Sequence, residues 1–219
     1  MAGTLTFYYD YISHNAYLAW TQVGALCERH GLTLEPVPVL FGAMLKANGQ
    51  LGPAEIPPKS LWMIRDVLRK AKRLNVPIAP PHAHPFNPLL ALRVSSSRLG
   101  EQCRDELTTA LFQAVWAESR DITNPAVVAA VASSVGLDGE SIVADATSPA
   151  TKALLTSRTQ SAIAAGVFGV PGMHVGGQLF WGFDDLAEID RFLTEGEAVA
   201  AADLAPWLNV RPSVVRRRS

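Results

Sequence analysis

The spacing of apolar residues changes period along the chain, and each change marks an element. Residues 4–9 (Thr-Leu-Thr-Phe-Tyr-Tyr) are β-branched and aromatic and end at Asp10, which predicts a buried strand. Over 15–30 the period becomes helical, with Ala16, Leu18, Ala19, Val23, Leu26 and Cys27 recurring on one side and Gly31 placed as a C-cap. Residues 32–40 then alternate and carry Pro36 and Pro38, which suits a strand near a sheet edge. The opening unit is therefore strand-helix-strand, implying a parallel pair joined by a right-handed crossover.

From about Phe41 the pattern is helical throughout. Helices are predicted at 59–74, 88–99, 101–118, 124–135 and 139–146, separated by Pro- and Gly-rich connectors. Leu61, Ile64, Leu68 and Ala71 form one helix face, and Leu107, Leu111, Ala114 and Val115 another. A further helix follows Ser148-Pro149 and runs to about Ala165. Gly166-Val167-Phe168-Gly169-Val170-Pro171-Gly172 then leads into a short strand, a Gly176-Gly177 turn and a second strand over 178–181, which is a hairpin signal. A last helix over 183–193 would gain from Asp184 and Asp185 at its N-terminus. These elements divide the chain into a discontinuous α/β unit (1–40 and 148–205), an all-helical insertion (41–147) and a C-terminal tail (206–219).

Composition narrows the function classes. With 219 residues, 48% of them hydrophobic, the chain buries a full core. A formal charge of −1 leaves no global field to draw it to nucleic acid or to an anionic membrane. The local basic run Arg216-Arg217-Arg218 reads as a solvated end. No apolar run reaches the ~18 residues of a membrane span, and the first residues lack the basic and apolar regions of a secretory signal. Cys27 and Cys103 lie far apart in apolar helical patterns, as buried thiols in a reducing compartment do, so a cytoplasmic protein is expected.

Two segments carry candidate chemistry. Ser13 falls at the junction of the first strand and helix, where its hydroxyl lies beside free helix N–H groups and the positive end of the helix dipole. It is placed either to cap the helix or to donate a hydrogen bond to a bound thiolate and lower its pKa. At the other end of the chain, Val170-Pro171 is either an ordinary strand start or a turn presenting its backbone to an extended peptide. Asp184, taken by itself, reads as a helix cap. His82 and His84 lack neighbouring Cys or carboxylate ligands, and no metal site is expected.

In order and spacing, these segments resemble the 2-hydroxychromene-2-carboxylate isomerases, relatives of the kappa-class glutathione transferases within the thioredoxin-like superfamily. The resemblance rests on Asp10-x-x-Ser13, Pro57-Pro58-Lys59, His84-Pro85-Phe86-Asn87, Trp116 with Asp121-Ile122, Gly169-Val170-Pro171 and Trp181-Gly182-x-Asp184, and covers nearly the whole chain. It implies a thioredoxin-like βαβ…ββα fold with a helical insertion, and glutathione as cofactor. Ser13 would activate the thiol. Lys59, Val170, Pro171, Trp181, Gly182, Phe183 and Asp184 would bind glutathione, Asp184 taking its amino group. Lys46, Asn48, His84 and Asn87 would contact a small aromatic substrate. The implied reaction is cis–trans isomerisation by reversible thiolate addition, with transfer of glutathione to another electrophile as the alternative and a homodimer as the expected assembly. A thiol–disulfide oxidoreductase would need a cysteine pair, and Ser13-His14-Asn15-Ala16 has none. A binding module without catalysis stays open, because fold does not determine function. The chain departs from the family pattern at His14, where proline is usual, at Asn15, where an aromatic is usual, at Gln50, and at Asp185, where an arginine is usual.

Overall fold

The computed structural model describes residues 3–214; the Arg216-Arg217-Arg218 tail lies outside them. Strand β1 (Thr4–Tyr9) leads through a short turn into α1 (His14–Arg29) and back to β2 (Thr33–Pro38). A helical stretch follows: α2 (Phe41–Asn48), α3 (Pro57–Leu74), α4 (Leu89–Ser96), α5 (Arg104–Trp116), α6 (Pro125–Ser134), α7 (Gly139–Asp145) and α8 (Pro149–Ala164), with 3-10 turns at Pro53–Glu55 and Arg98–Cys103. The hairpin β3 (Gly172–Val175) and β4 (Gln178–Trp181), then α9 (Leu186–Glu195) and α10 (Ala201–Leu208), complete the described chain. The sheet runs in the order β2-β1-β3-β4, β1 and β2 parallel and the other pairs antiparallel. This is the thioredoxin-like arrangement with helices inserted between its halves. The hairpin turn uses Gly176 and Gly177 at φ +57° and +79°, the left-handed conformations that a two-residue turn demands.

Register on β1 sorts its side chains between two cores. Leu5, Phe7 and Tyr9 are fully buried on one face, in the larger core, while Tyr8 on the opposite face packs against a smaller cluster formed by Val39, Met44, Ala162, Val167 and Val170. Phe112 of α5 is central to the larger core, with ring contacts to Tyr9, Tyr11, Tyr17 and Trp20 at 4.7–6.5 Å between centroids. The polar tips of these aromatics find partners across the same boundary. Tyr9 bonds Thr108 at 3.0 Å, Tyr11 bonds Ser95 at 2.6 Å, the Trp20 indole donates to Thr109 at 2.9 Å, and Tyr17 donates to the Pro77 carbonyl at 2.7 Å. Each bond removes the desolvation penalty that a buried hydroxyl or indole would otherwise carry.

Asp10 terminates β1 and is fully buried. Its Oδ1 accepts from the Ile12 N–H at 3.0 Å and its Oδ2 from the Phe41 N–H at 2.9 Å, joining the turn before α1 to the start of α2. Burial raises the carboxyl from 3.8 to about 7, against the opposing pull of the two N–H donors.

Three differences from the sequence-based expectation have local causes. Helix α2 falls where no separate helix was assigned, because its eight residues show too little periodicity to stand out. Helix α9 begins at Leu186 and not at 183, because Asp184 and Asp185 are engaged elsewhere. Helix α10 runs across position 206, where the tail was expected to begin.

Two outcomes follow from this packing. Truncating Phe112 to alanine is expected to cost about 3–5 kcal/mol of unfolding free energy, read from urea denaturation. Because Asp10 binds its proton more tightly folded than unfolded, stability is expected to fall as pH rises from near 3.8 to about 7. The contribution of this group has a slope of at most about 1.4 kcal/mol per pH unit, and levels off above that window. Urea midpoints measured across pH for the wild type and for Asp10→Asn check this: the variant lacks that component of the slope.

Candidate functional site

Ser13 is half-buried and caps α1. Its backbone is extended (φ −97°, ψ 110°), and its Oγ accepts from the Ala16 N–H at 3.1 Å. The hydroxyl faces the carbonyl of Val170 at 3.4 Å, so residues from opposite ends of the chain meet here. The Val170-Pro171 bond is cis, and both residues are buried. The Pro171 carbonyl accepts from Gly182 N–H at 2.9 Å, which ties this turn to the end of β4. Gly169 has no room for a side chain, since a Cβ there would lie 2.5 Å from the Trp181 indole nitrogen. The Trp181 ring is half exposed and packs on Phe168 at 5.2 Å. The result is a ledge with a hydroxyl and a helix N-terminus on one side and the cis Val170-Pro171 turn on the other. Such a ledge favours an anionic group beside Ser13 and a peptide-like chain along the turn.

A histidine wall borders Ser13. His14, on the first residue of α1, is buried edge-on against Trp116 at 5.6 Å and lies 6.2 Å from the His84 ring. Burial, helped by the His84 charge, lowers the His14 pKa to about 4, and burial also lowers that of His84. A neutral wall of this kind adds no cation beside Ser13 at pH 7. His84 bonds the Ile12 carbonyl at 3.1 Å, and the Trp116 indole donates to the Tyr11 carbonyl at 2.8 Å, so both brace the turn that carries Ser13. His14 Nδ1 and Asn15 Oδ1 are buried with no hydrogen-bond partner among the described residues.

Charge collects at the other end of the ledge. The Lys70 Nζ, on α3, lies 2.7 Å from Asp184 Oδ2 and 2.8 Å from Asp66 Oδ2, with the Phe183 ring 5.3 Å away. Burial alone would lower the Lys70 pKa, but the hydrogen bonds and charges of Asp184 and Asp66 outweigh it and raise it. Asp185 accepts the Trp181 N–H at 2.8 Å through Oδ2.

The structure thus brings together Ser13, Val170, Pro171, Trp181 and Gly182, places Phe183 and Asp184 against Lys70, and sets His84 beside Ile12. Lys59 is exposed on the first turn of α3. Lys46 and Asn48 sit near the C-terminal end of α2, whose hydrogen bond to Asp10 is made at the opposite end; Lys46 is exposed, and the Asn48 amide donates to the Met44 carbonyl at 2.9 Å. Asn87 accepts from Leu89 N–H at 3.1 Å, at the start of α4. Sequence reasoning missed Lys70 and Asp66. Their signal was a lysine at a buried position of α3, between Val67 and Ala71, with an aspartate one turn earlier.

Among the described residues no helix is long and apolar enough to cross a membrane. The chain is similar to the 2-hydroxychromene-2-carboxylate isomerase of Sphingobium xenophagum, with 29% identity over 197 residues that span 89% of this chain and 100% of that protein. It is also similar to the human glutathione S-transferase kappa 1, at 25% identity over 98% of this chain and 97% of that one. Among solved structures, a 2-hydroxychromene-2-carboxylate isomerase superposes with a TM-score of 0.81 at 24% identity, covering 87% of this chain and 94% of its own. The DSBA-like thioredoxin domain matches residues 4–194, from β1 through most of α9, and the chain belongs to that family.

Proposed function

We propose that this protein is a glutathione-dependent isomerase of 2-hydroxychromene-2-carboxylate or a related aromatic-degradation intermediate. The observation that carries the reading is the Ser13 hydroxyl, at the N-terminus of α1 and 3.4 Å from the Val170 carbonyl. The similarity to isomerases along most of the chain supports it.

The residues present suit glutathione. Ser13 offers a hydroxyl donor where a thiolate would sit, and the dipole of α1 adds positive potential there. Val170 and Pro171 offer backbone to the cysteinyl portion, with Trp181 and Gly182 closing the turn. Asp184 is an exposed carboxylate suited to the γ-glutamyl ammonium, with Phe183 beside it. Lys59 is an exposed cation suited to the glycine carboxylate. When bound, glutathione supplies a thiolate that adds reversibly to the conjugated substrate, so that the former double bond rotates as a single bond before the thiol departs. Ser13 holds the sulfur ionised by donating its proton to a hydrogen bond, and with His14 and His84 neutral that task falls to the hydroxyl and the helix dipole. His84, Asn87, Lys46 and Asn48 are assigned to the aromatic carboxylate substrate. On this reading the active site lies between the thioredoxin-like unit (1–40 and 148–205) and the helical insertion (41–147), as ligand sites at domain interfaces tend to.

A cytoplasmic homodimer completes the reading. The free thiols Cys27 and Cys103 suit a reducing compartment. The exposed apolar stripe of Leu61, Ile64 and Leu68 on α3 suits a subunit contact.

A spectrophotometric assay of chromene carboxylate ring opening, with free thiol measured in parallel, is the test. Turnover is expected to require glutathione without consuming it, and Ser13→Ala is expected to lower kcat by about 100-fold while the fold persists. Stoichiometric loss of thiol would instead indicate a transferase that retains the glutathione conjugate. Turnover that is independent of glutathione would remove the proposal.

A further inference from the structure

The cluster of Lys70, Asp66 and Asp184 has a charge pattern that calls for a ligand. Lys70 is only 5% exposed, an uncommon position for an ammonium, and it is held by carboxylates from two different elements. Asp66 shares its own helix and is mostly covered, with a side chain 22% exposed. The Asp184 side chain, by contrast, is 74% exposed. One ammonium against two carboxylates leaves a net negative charge, and the uncovered part of that charge is the Asp184 carboxylate facing solvent. Lys70 already occupies Asp184 Oδ2, which restricts the carboxylate to one orientation. Asp184 is therefore not a helix cap, and α9 starts beyond it. Asp185, the next residue, accepts the Trp181 N–H and leaves Lys70 to Asp184.

We propose that Lys70 is the positioning residue that aims Asp184 at the ammonium of an α-amino acid group, and so determines selectivity for the amino end of a γ-glutamyl thiol. Lys70 does this by holding one carboxylate oxygen while the remainder stays open to the incoming ammonium. Asp66 in turn holds Lys70, which makes the three a relay from the buried face of α3 to the surface of the ledge. Lys59 lies about three turns earlier on the same face of α3, some ~16 Å along its axis. One helix thereby organises both ends of an extended tripeptide. The inference rests on the glutathione reading and adds to it the group that Lys70 serves.

Calorimetric affinity and KM for glutathione, and for its analogue lacking only the γ-glutamyl amino group (glutaryl-cysteinylglycine), test this on the full-length protein. Lys70→Met is expected to weaken glutathione about tenfold, as the loss of a charge-assisted contact does. It is expected to leave the analogue within about twofold and kcat at saturating glutathione unchanged, with Lys70→Arg restoring most of the difference. Asp184→Asn, at an exposed position, keeps the test open should Lys70→Met not fold, and is expected to show the same selectivity. Equal weakening of both ligands by Asp184→Asn, or by a folded Lys70→Met, overturns the inference while leaving the proposed function in place. A wild type that binds neither ligand overturns both.

Discussion

Asp10 is the constraint on which the arrangement of the site depends. A carboxylate fully enclosed at the end of a central strand is costly, and it is retained because two backbone N–H groups converge on it. One belongs to the turn before α1 and the other to the first residue of α2. The same side chain therefore sets where Ser13 emerges from the sheet and where the helical segment departs from it. Burial raises its pKa, and the two donors offset that rise only in part.

The second constraint is the aromatic seam between the front unit and the helices. Phe112 supplies the apolar contact, and Tyr9, Tyr11, Tyr17 and Trp20 each carry a polar tip that is satisfied from the far side. Apolar packing alone tolerates small slips of one element over another, whereas these bonds require their partners in register. Trp116 and His84 extend the seam to the turn itself by bonding the carbonyls of Tyr11 and Ile12. The loop carrying the candidate nucleophile-activating residue is thus held from the strand side by Asp10 and from the helical side by an indole and an imidazole.

At the opposite end of the ledge the physics is electrostatic. A buried ammonium survives only with anionic partners, and Lys70 has one on its own helix and one on the segment after β4. This pairing draws the segment after the hairpin against α3. It also explains why the two aspartates expected to open the last helix do not cap it: one serves Lys70 and the other the Trp181 N–H. Capping preference is worth about 1 kcal/mol, and a buried cation left unpaired would cost more.

The amino-acid sequence by itself determined the order of strands and helices, the hairpin turn at Gly176-Gly177, and the two segments that carry the ledge, because periodicity, turn chemistry and capping act over a few residues. Ser13 as a helix cap and Val170-Pro171 as a turn were legible for the same reason. Helix α2 was not, since eight weakly patterned residues resemble a connector. Nor was the role of Lys70, which in the linear pattern is one more cation on a helix and becomes a buried ion only when α3 packs beneath Asp184. Likewise Asp10 marks a strand end in sequence, and only the approach of Phe41 makes it a junction. Tertiary structure alone decided which polar groups lost their water, and that loss turned ordinary surface residue types into the fixed partners of the site.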